Sequence, residues 1–130
     1  MTPAMLDQWY AGTFPGSPEQ VGLARRAVKS CLGSCPASDD AALVVSELAT
    51  NAAVHSRSKD GTFTLRVELH PTWVQVECED AGGPWFSRPA DDSRPHGLFL
   101  VENLARAWGI STTASGRVVW ARLDFQAPPR

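Results

Sequence analysis

Residues 47–55 have the sequence ELATNAAVH, which is the most informative stretch of the chain because it places a carboxylate and an amide on the apolar side of a helix. At about 100° per residue, one broad helical face contains Leu43, Val44, Glu47, Leu48, Asn51, Ala52, Val54 and His55. The opposite face is predicted to contain Ser46, Ala49, Thr50 and Ala53. A buried polar group without a partner costs roughly 1–3 kcal/mol, so other protein groups or a ligand must satisfy Glu47 and Asn51. The helix alone leaves both alternatives open.

Composition sets the class of protein. The chain has 130 residues, 43% of them hydrophobic, which suits the core of one domain over residues 1–130. The formal net charge of -2 argues against a broad basic surface for nucleic acid. No apolar run approaches the roughly 20 residues that cross a bilayer, and the amino terminus lacks the basic segment of a signal peptide. We therefore expect a single cytoplasmic domain with neither nucleic acid nor membrane as partner.

The first half of the chain predicts one strand and two helices. Residues 9–14 are predicted to form an edge strand. The sequence of residues 17–20, SPEQ, predicts a helix start with Ser17 as N-cap, and Gly33 predicts the end of that helix. A second helix is predicted from Ser38 to about Ser56. It carries the polar pair.

A hairpin follows, and it ends in a second candidate site. Apolar and polar residues alternate over residues 63–70 and again over residues 73–79, which predicts two strands with one buried face. The same alternation places Asp80 on the buried face, directly before Gly82 and Gly83, where the backbone can come close to a ligand. A ligand site and a capping Asp in a Gly-rich turn both fit this pattern.

The last third of the chain predicts a loop, a helix and a second hairpin. Residues 81–95 are rich in Pro, Gly and charge and are expected to cover a site. The next helix has an apolar side made by Leu98, Val101, Leu104, Ala105 and Trp108, and Gly97 at its start exposes amides that suit phosphate. The hairpin covers residues 110–114 and 117–125, with Val119, Ala121, Leu123 and Phe125 facing inward.

Four motifs together resemble the GHKL ATPase and kinase superfamily with its Bergerat nucleotide site. They are Glu47-x-x-x-Asn51, Asp80-x-Gly82-Gly83, residues 97–101 (GLFLV) and residues 116–120 (GRVVW), in that order and spacing. More narrowly, the chain resembles the stand-alone serine kinases of bacterial partner-switching systems, the anti-sigma factor class. The resemblance covers about residues 9–125. It implies an α/β two-layer sandwich with a mixed, mainly antiparallel sheet, helices on one face and residues 81–95 as an ATP lid.

The resemblance also implies ATP and Mg²⁺ as cofactors. Asp80 would accept a hydrogen bond from the adenine amine, Asn51 would ligate Mg²⁺, and Glu47 would be the general base that activates a serine hydroxyl. Backbone amides at the start of the third helix would cradle the phosphates. The nucleotide-binding residues implied in this way are Asn51, Asp80, Gly82, Gly83, Gly97, Leu98 and Phe99.

The implied function is an ATP- and Mg²⁺-dependent serine/threonine protein kinase. Its implied substrate is a small antagonist of the STAS, anti-anti-sigma type, and the resemblance extends to sequestration of a sigma factor. The alternative is a catalytically weak, nucleotide-gated regulator that binds partners without phosphotransfer. The presence of Glu47 and Asn51 favours the enzyme. Two departures favour the alternative: Pro95 stands where relatives have a glycine, and Val118 occupies the region where a threonine is common.

Three features stay open on the sequence alone. His55 either contacts phosphate or is a hydrogen-bonded residue at a helix end, and His96 either contacts the nucleotide or is solvated. Cys31, Cys35 and Cys78 lack the spacing of metal or redox motifs and are expected to be reduced, small apolar residues. The oligomeric state is also open, a homodimer included.

Overall fold

The computed structural model describes residues 8–56, 60–82, 98–114 and 116–126. The elements follow in the order β1 Gln8–Pro15, α1 Glu19–Leu32, α2 Ser38–His55, β2 Thr62–Leu69, β3 Trp73–Asp80, α3 Leu98–Leu104, β4 Ala107–Thr113 and β5 Gly116–Asp124.

The described strands form one sheet in the order β1-β2-β3-β5-β4. The sheet was predicted to be mixed and mainly antiparallel, but all four pairings between the described strands are antiparallel. β1 lies at one edge and pairs with β2 along its whole length, which confirms the edge strand predicted for residues 9–14. Helix α1 packs on β1 and β2, and α2 packs on β2, β3 and β5. The predicted two-layer α/β sandwich is confirmed.

The core lies between the sheet and the helices. Period-two alternation puts one face of each central strand inward, as predicted, and these buried residues are Phe63, Leu65, Val67, Val74, Val76, Cys78, Val119, Ala121 and Leu123. The helices contribute Ala24, Val28, Val44, Val45, Leu48, Leu98 and Val101 to the same cluster. Each fully buried Val, Leu or Phe side chain contributes about 1.5–3 kcal/mol by leaving water.

Helix α2 differs from its predicted pattern of faces. Leu43 and Val54, expected on the buried face, are 48% and 37% exposed, whereas Ala49 and Ala53, expected opposite, are fully buried. The reason is that α2 has neighbours on more than one side: α1, α3 and three strands pack against it. A helix enclosed in this way buries small residues on a face that an amphipathic surface helix would expose to water.

Both helices that flank α2 begin or end differently from prediction. Pro18 already has helical backbone angles and α1 starts at Glu19 without a side-chain cap, so the prediction of Ser17 as N-cap was wrong. Gly33 ends α1 with φ +57°, as predicted. Helix α3 stops at Leu104 because the Arg106 amide donates to the carbonyl of Arg122 on β5, and Trp108 therefore belongs to β4.

Candidate functional site

The end of β3 forms a tight turn against the start of β5. Oδ1 of the buried Asp80 accepts a hydrogen bond of 2.6 Å from the backbone N–H of Gly82. Gly82 has φ +83°, a conformation that residues with a Cβ rarely adopt. A Cβ on Gly116 would overlap the carbonyl oxygen of Asp80, so this position requires glycine. The two glycines therefore allow β3 and β5 to meet closely around the Asp80 carboxylate.

Arg117 is the residue that pairs with Asp80 across the β3–β5 ladder. Its Nη2 lies 3.3 Å from Oδ1 of Asp80, and the two side chains are only 13% and 2% exposed. Arg117 is two residues before the buried Val119 on β5, and side chains two residues apart on a strand point to the same face. Arg117 therefore projects from the inner face of the sheet. The carboxylate predicted to bind adenine is thus already paired with a guanidinium.

Asn51 lies on α2 with both ends of its amide buried. It is 1% exposed, and neither Oδ1 nor Nδ2 has a hydrogen-bond partner in the described structure. The hydroxyls of Ser46, Thr50 and Ser56, by contrast, are satisfied locally: each donates to the carbonyl four residues earlier, at 2.9, 2.7 and 2.7 Å. Because buried amides are normally hydrogen-bonded, the Asn51 amide is not the satisfied core group that the sequence left open.

Glu47 precedes Asn51 by one helical turn, so both project from the same side of α2. Its side chain is partly exposed and makes no hydrogen bond or ion pair with the described residues. Of the two polar residues predicted on the buried face, only Asn51 is therefore buried without a partner in the described structure, whereas the partly exposed Glu47 is open to water.

A contact between α2 and β3 connects these two groups of residues. Sγ of Cys78 lies 3.7 Å from the backbone oxygen of Leu48 and donates to it. Burial, reinforced by the negative charge of Asp80, raises the pKa of this thiol well above its ordinary value, so it stays protonated. Leu48 lies directly after Glu47, and Cys78 is two residues before Asp80 on the same inward face. The contact therefore packs the middle of α2 on the end of β3 that carries Asp80.

The remaining predicted site residues divide into two groups. Leu98 opens α3 with its side chain fully buried in the core, so only its backbone is available to a ligand. Phe99 is 62% exposed, and its carbonyl accepts a bond of 2.8 Å from Nδ2 of Asn103. The other predicted residues lie outside the described part of the chain: residues 83–95 of the predicted lid, which include Gly83 and Pro95, and also His96 and Gly97. The His55 side chain lies outside it as well.

Arg117 and Gly116 are the site residues to which the sequence analysis assigned no role. The signal was present for Arg117, because its alternation with Val119, Ala121 and Leu123 places it on the inward face. Val118, named as the residue that replaces a threonine, pairs with Glu79 on the other face of the sheet. It is therefore Arg117, not Val118, that stands beside Asp80.

The two-layer sandwich with one antiparallel sheet is consistent with a nucleotide-binding domain of the GHKL type. The family described as "Histidine kinase-like ATPase domain" matches residues 14–123, and the chain belongs to this family. It is thus an ATP-binding domain of the kinase-like class. A comparison with curated proteins gives no significant match. In the part of the chain that the structure describes, no helix is long and apolar enough to cross a bilayer.

Proposed function

We propose that this chain is an ATP- and Mg²⁺-dependent serine/threonine protein kinase of the partner-switching type. Its substrate is a small antagonist protein of the STAS, anti-anti-sigma type, and its second partner is a sigma factor that it sequesters. The observation that supports this function best is the position of Glu47, one turn before the buried, unpartnered amide of Asn51.

The side-chain oxygen of Asn51 on α2 is a suitable ligand for Mg²⁺. An amide oxygen is a hard ligand, and Mg²⁺ usually takes only one or two ligands from the protein while phosphate oxygens and waters fill its other positions. The Asn51 side chain is buried and has no competing hydrogen bond in the described structure, so it is available for this role. When bound, the ion would neutralise charge on the phosphates of ATP.

The carboxylate of Glu47 suits transfer to a hydroxyl group. A serine hydroxyl is a weak nucleophile until a base takes its proton, and a positioned carboxylate contributes about 10²–10⁴ to the rate. As the serine oxygen bonds to the γ-phosphorus, its proton passes to Glu47, and the bond to the bridging oxygen breaks to release ADP. A histidine acceptor attacks through a ring nitrogen lone pair and needs no such base. Glu47 therefore favours serine or threonine over histidine as acceptor.

Transfer of labelled phosphate tests this function directly. The full chain is incubated with γ-labelled ATP, Mg²⁺ and purified antagonists of the STAS type, and each antagonist is also tested with its acceptor serine changed to alanine. We expect label on the serine form only, stable to acid and labile to alkali, as for a phosphate ester. Acid-labile label, or no label despite ATP binding, would reject the serine kinase.

A nucleotide-gated binding module is the second candidate. Two features of the sequence favour it, because Pro95 lacks an amide donor near the expected phosphate loop and Val118 lacks the hydroxyl that a threonine would offer. In that case the chain would capture its partner with an affinity that depends on bound nucleotide, and no phosphate would move to the antagonist.

A further inference from the structure

We propose that Arg117 recognises the nucleotide base together with Asp80: Asp80 accepts from the 6-amino group of adenine, and Arg117 donates to the neighbouring ring nitrogen N1. This inference deepens the proposed function and rests on its nucleotide site, but it concerns binding of the base and not transfer of phosphate.

The position of Arg117 in the sheet is the first argument. The side chain is 13% exposed and projects from the inner face of β5, opposite Asp80 in the β3–β5 register. Arg122 on the same strand points to the opposite face of the sheet. Its Cζ lies 4.3 Å from the centroid of the Trp73 ring, and its Nε donates to Oδ1 of Asp124 at 2.9 Å. Arg122 therefore belongs to the outer face, whereas Arg117 borders the space in which Asp80 would meet a base.

The cost of separating the pair is the second argument. A buried carboxylate that loses its cationic partner is left with an uncompensated charge, which is strongly unfavourable. A base carries no positive charge to replace the guanidinium. An incoming nucleotide is therefore expected to meet Asp80 and Arg117 as a pair and not to displace the arginine.

The hydrogen-bonding capacity of the pair is the third argument. A carboxylate has about four lone-pair sites and a guanidinium has five N–H donors, so each group can hold several partners at once, as Oδ1 of Asp80 does with the Gly82 amide and Nη2 of Arg117. Side by side they present an acceptor and a donor. The Watson–Crick edge of adenine presents the complementary order, with the 6-amino donor next to the N1 acceptor.

Nucleotide analogues that lack one of these groups provide the test. Binding of ATP, of 1-deaza-ATP, which lacks N1, and of purine riboside triphosphate, which lacks the amine, is measured by calorimetry on the full wild-type chain. The same titrations are made on Arg117→Met and on the control Arg122→Met. We expect wild type and Arg122→Met to bind 1-deaza-ATP about tenfold more weakly than ATP, the scale of one hydrogen bond.

We expect Arg117→Met to bind ATP about tenfold more weakly than wild type and to lose its discrimination against 1-deaza-ATP, while it keeps its discrimination against purine riboside triphosphate. Tighter ATP binding by Arg117→Met would show that the arginine competes with the base and would overturn the proposal. Retained discrimination at N1 in that variant would overturn it as well. If Arg117→Met does not fold, the wild-type comparison decides: equal affinity for ATP and 1-deaza-ATP rejects the role of Arg117.

The outcomes separate this inference from the proposed kinase. Binding of ATP with N1 discrimination but without transfer to an antagonist supports Arg117 and rejects the kinase. Transfer without N1 discrimination does the reverse. Absence of ATP binding by the wild type rejects both.

Discussion

The thiol of Cys78 donates across 3.7 Å to the backbone carbonyl of Leu48, and this contact joins the strand that carries Asp80 to the helix that carries Glu47 and Asn51. Cys78 is buried, and a carbonyl at mid-helix already accepts a helical bond, so the sulfur adds a second, weaker interaction. The contact ties α2 to the end of β3, so its properties bear on how stably these two elements are held together.

The protonation of Cys78 makes stability depend on pH in the alkaline range. Burial raises the pKa of this thiol in the folded state above its ordinary value of 9.0, so its contribution to stability is fully present below about pH 9 and is lost as pH rises further. The free energy of unfolding from urea titrations should fall by up to about 1.4 kcal/mol per pH unit above pH 9 from this group. Cys78→Ala should lose that component. An unchanged slope in Cys78→Ala would show that other groups, such as the partly buried Cys31 and Tyr10, cause the decline.

Replacement of the Asn51 amide should separate stability from function. Asn51→Leu removes two buried polar atoms without partners, so the nucleotide-free protein should be as stable as wild type or more stable by about 1–3 kcal/mol. The Mg²⁺ dependence of ATP binding should disappear in the same variant. Thr50→Val, which removes a hydroxyl already bonded at 2.7 Å, is the control and should give no comparable gain. A marked loss of stability in Asn51→Leu would mean that the amide has a protein partner after all.

Glu47→Gln should separate binding from chemistry. The amide keeps the size of the side chain but cannot take a proton, so transfer to the antagonist should fall about 10²-fold or more at nearly unchanged ATP affinity. The exposed Glu19 on α1 provides the control, and Glu19→Gln should transfer phosphate at the wild-type rate. Full activity of Glu47→Gln would leave positioning and metal charge as the sources of catalysis.

Asp80→Asn should weaken ATP binding by roughly 1–3 kcal/mol, because the variant replaces an acceptor of the adenine amine and leaves Arg117 without its counter-charge. Glu79→Gln tests whether any carboxylate at this end of β3 has the same effect. Glu79 pairs with Arg66 at 2.9 Å on the outer face, so its replacement should leave ATP affinity unchanged. Calorimetry that finds equal affinity for Asp80→Asn and wild type would reject the assignment of the base.

A matched pair of glycine substitutions tests the turn around Asp80. Gly116→Ala places a Cβ against the Asp80 carbonyl and should destabilise the fold and weaken ATP binding together. Gly22→Ala on α1 meets nothing closer than 4.0 Å and should stabilise by about 0.5–1 kcal/mol through helix propensity. Thermal unfolding of both variants measures the contrast. Equal effects at the two positions would show that the backbone can shift to accept a Cβ at Gly116.

Features that depend only on local periodicity could be predicted from the amino-acid sequence. Period-two alternation placed Phe63, Val76 and Val119 inward and put Asp80 on the same face, because successive side chains of a strand point to opposite sides whatever the strand pairs with. The spacing of Glu47 and Asn51 likewise fixed their common side of α2, since it depends only on helix geometry. The order of motifs then sufficed to predict the family.

Contacts between residues far apart in the chain became known only from the three-dimensional structure. Ala49 and Ala53 are buried because α2 is enclosed by helices as well as by the sheet, and α3 ends where the Arg106 amide finds the Arg122 carbonyl on β5. The pairing of Arg117 with Asp80 depends on the β3–β5 register, which joins residues 37 positions apart in the chain. Strand register arises from long-range packing of whole faces, so a local pattern shows that Arg117 points inward but not which carboxylate it contacts.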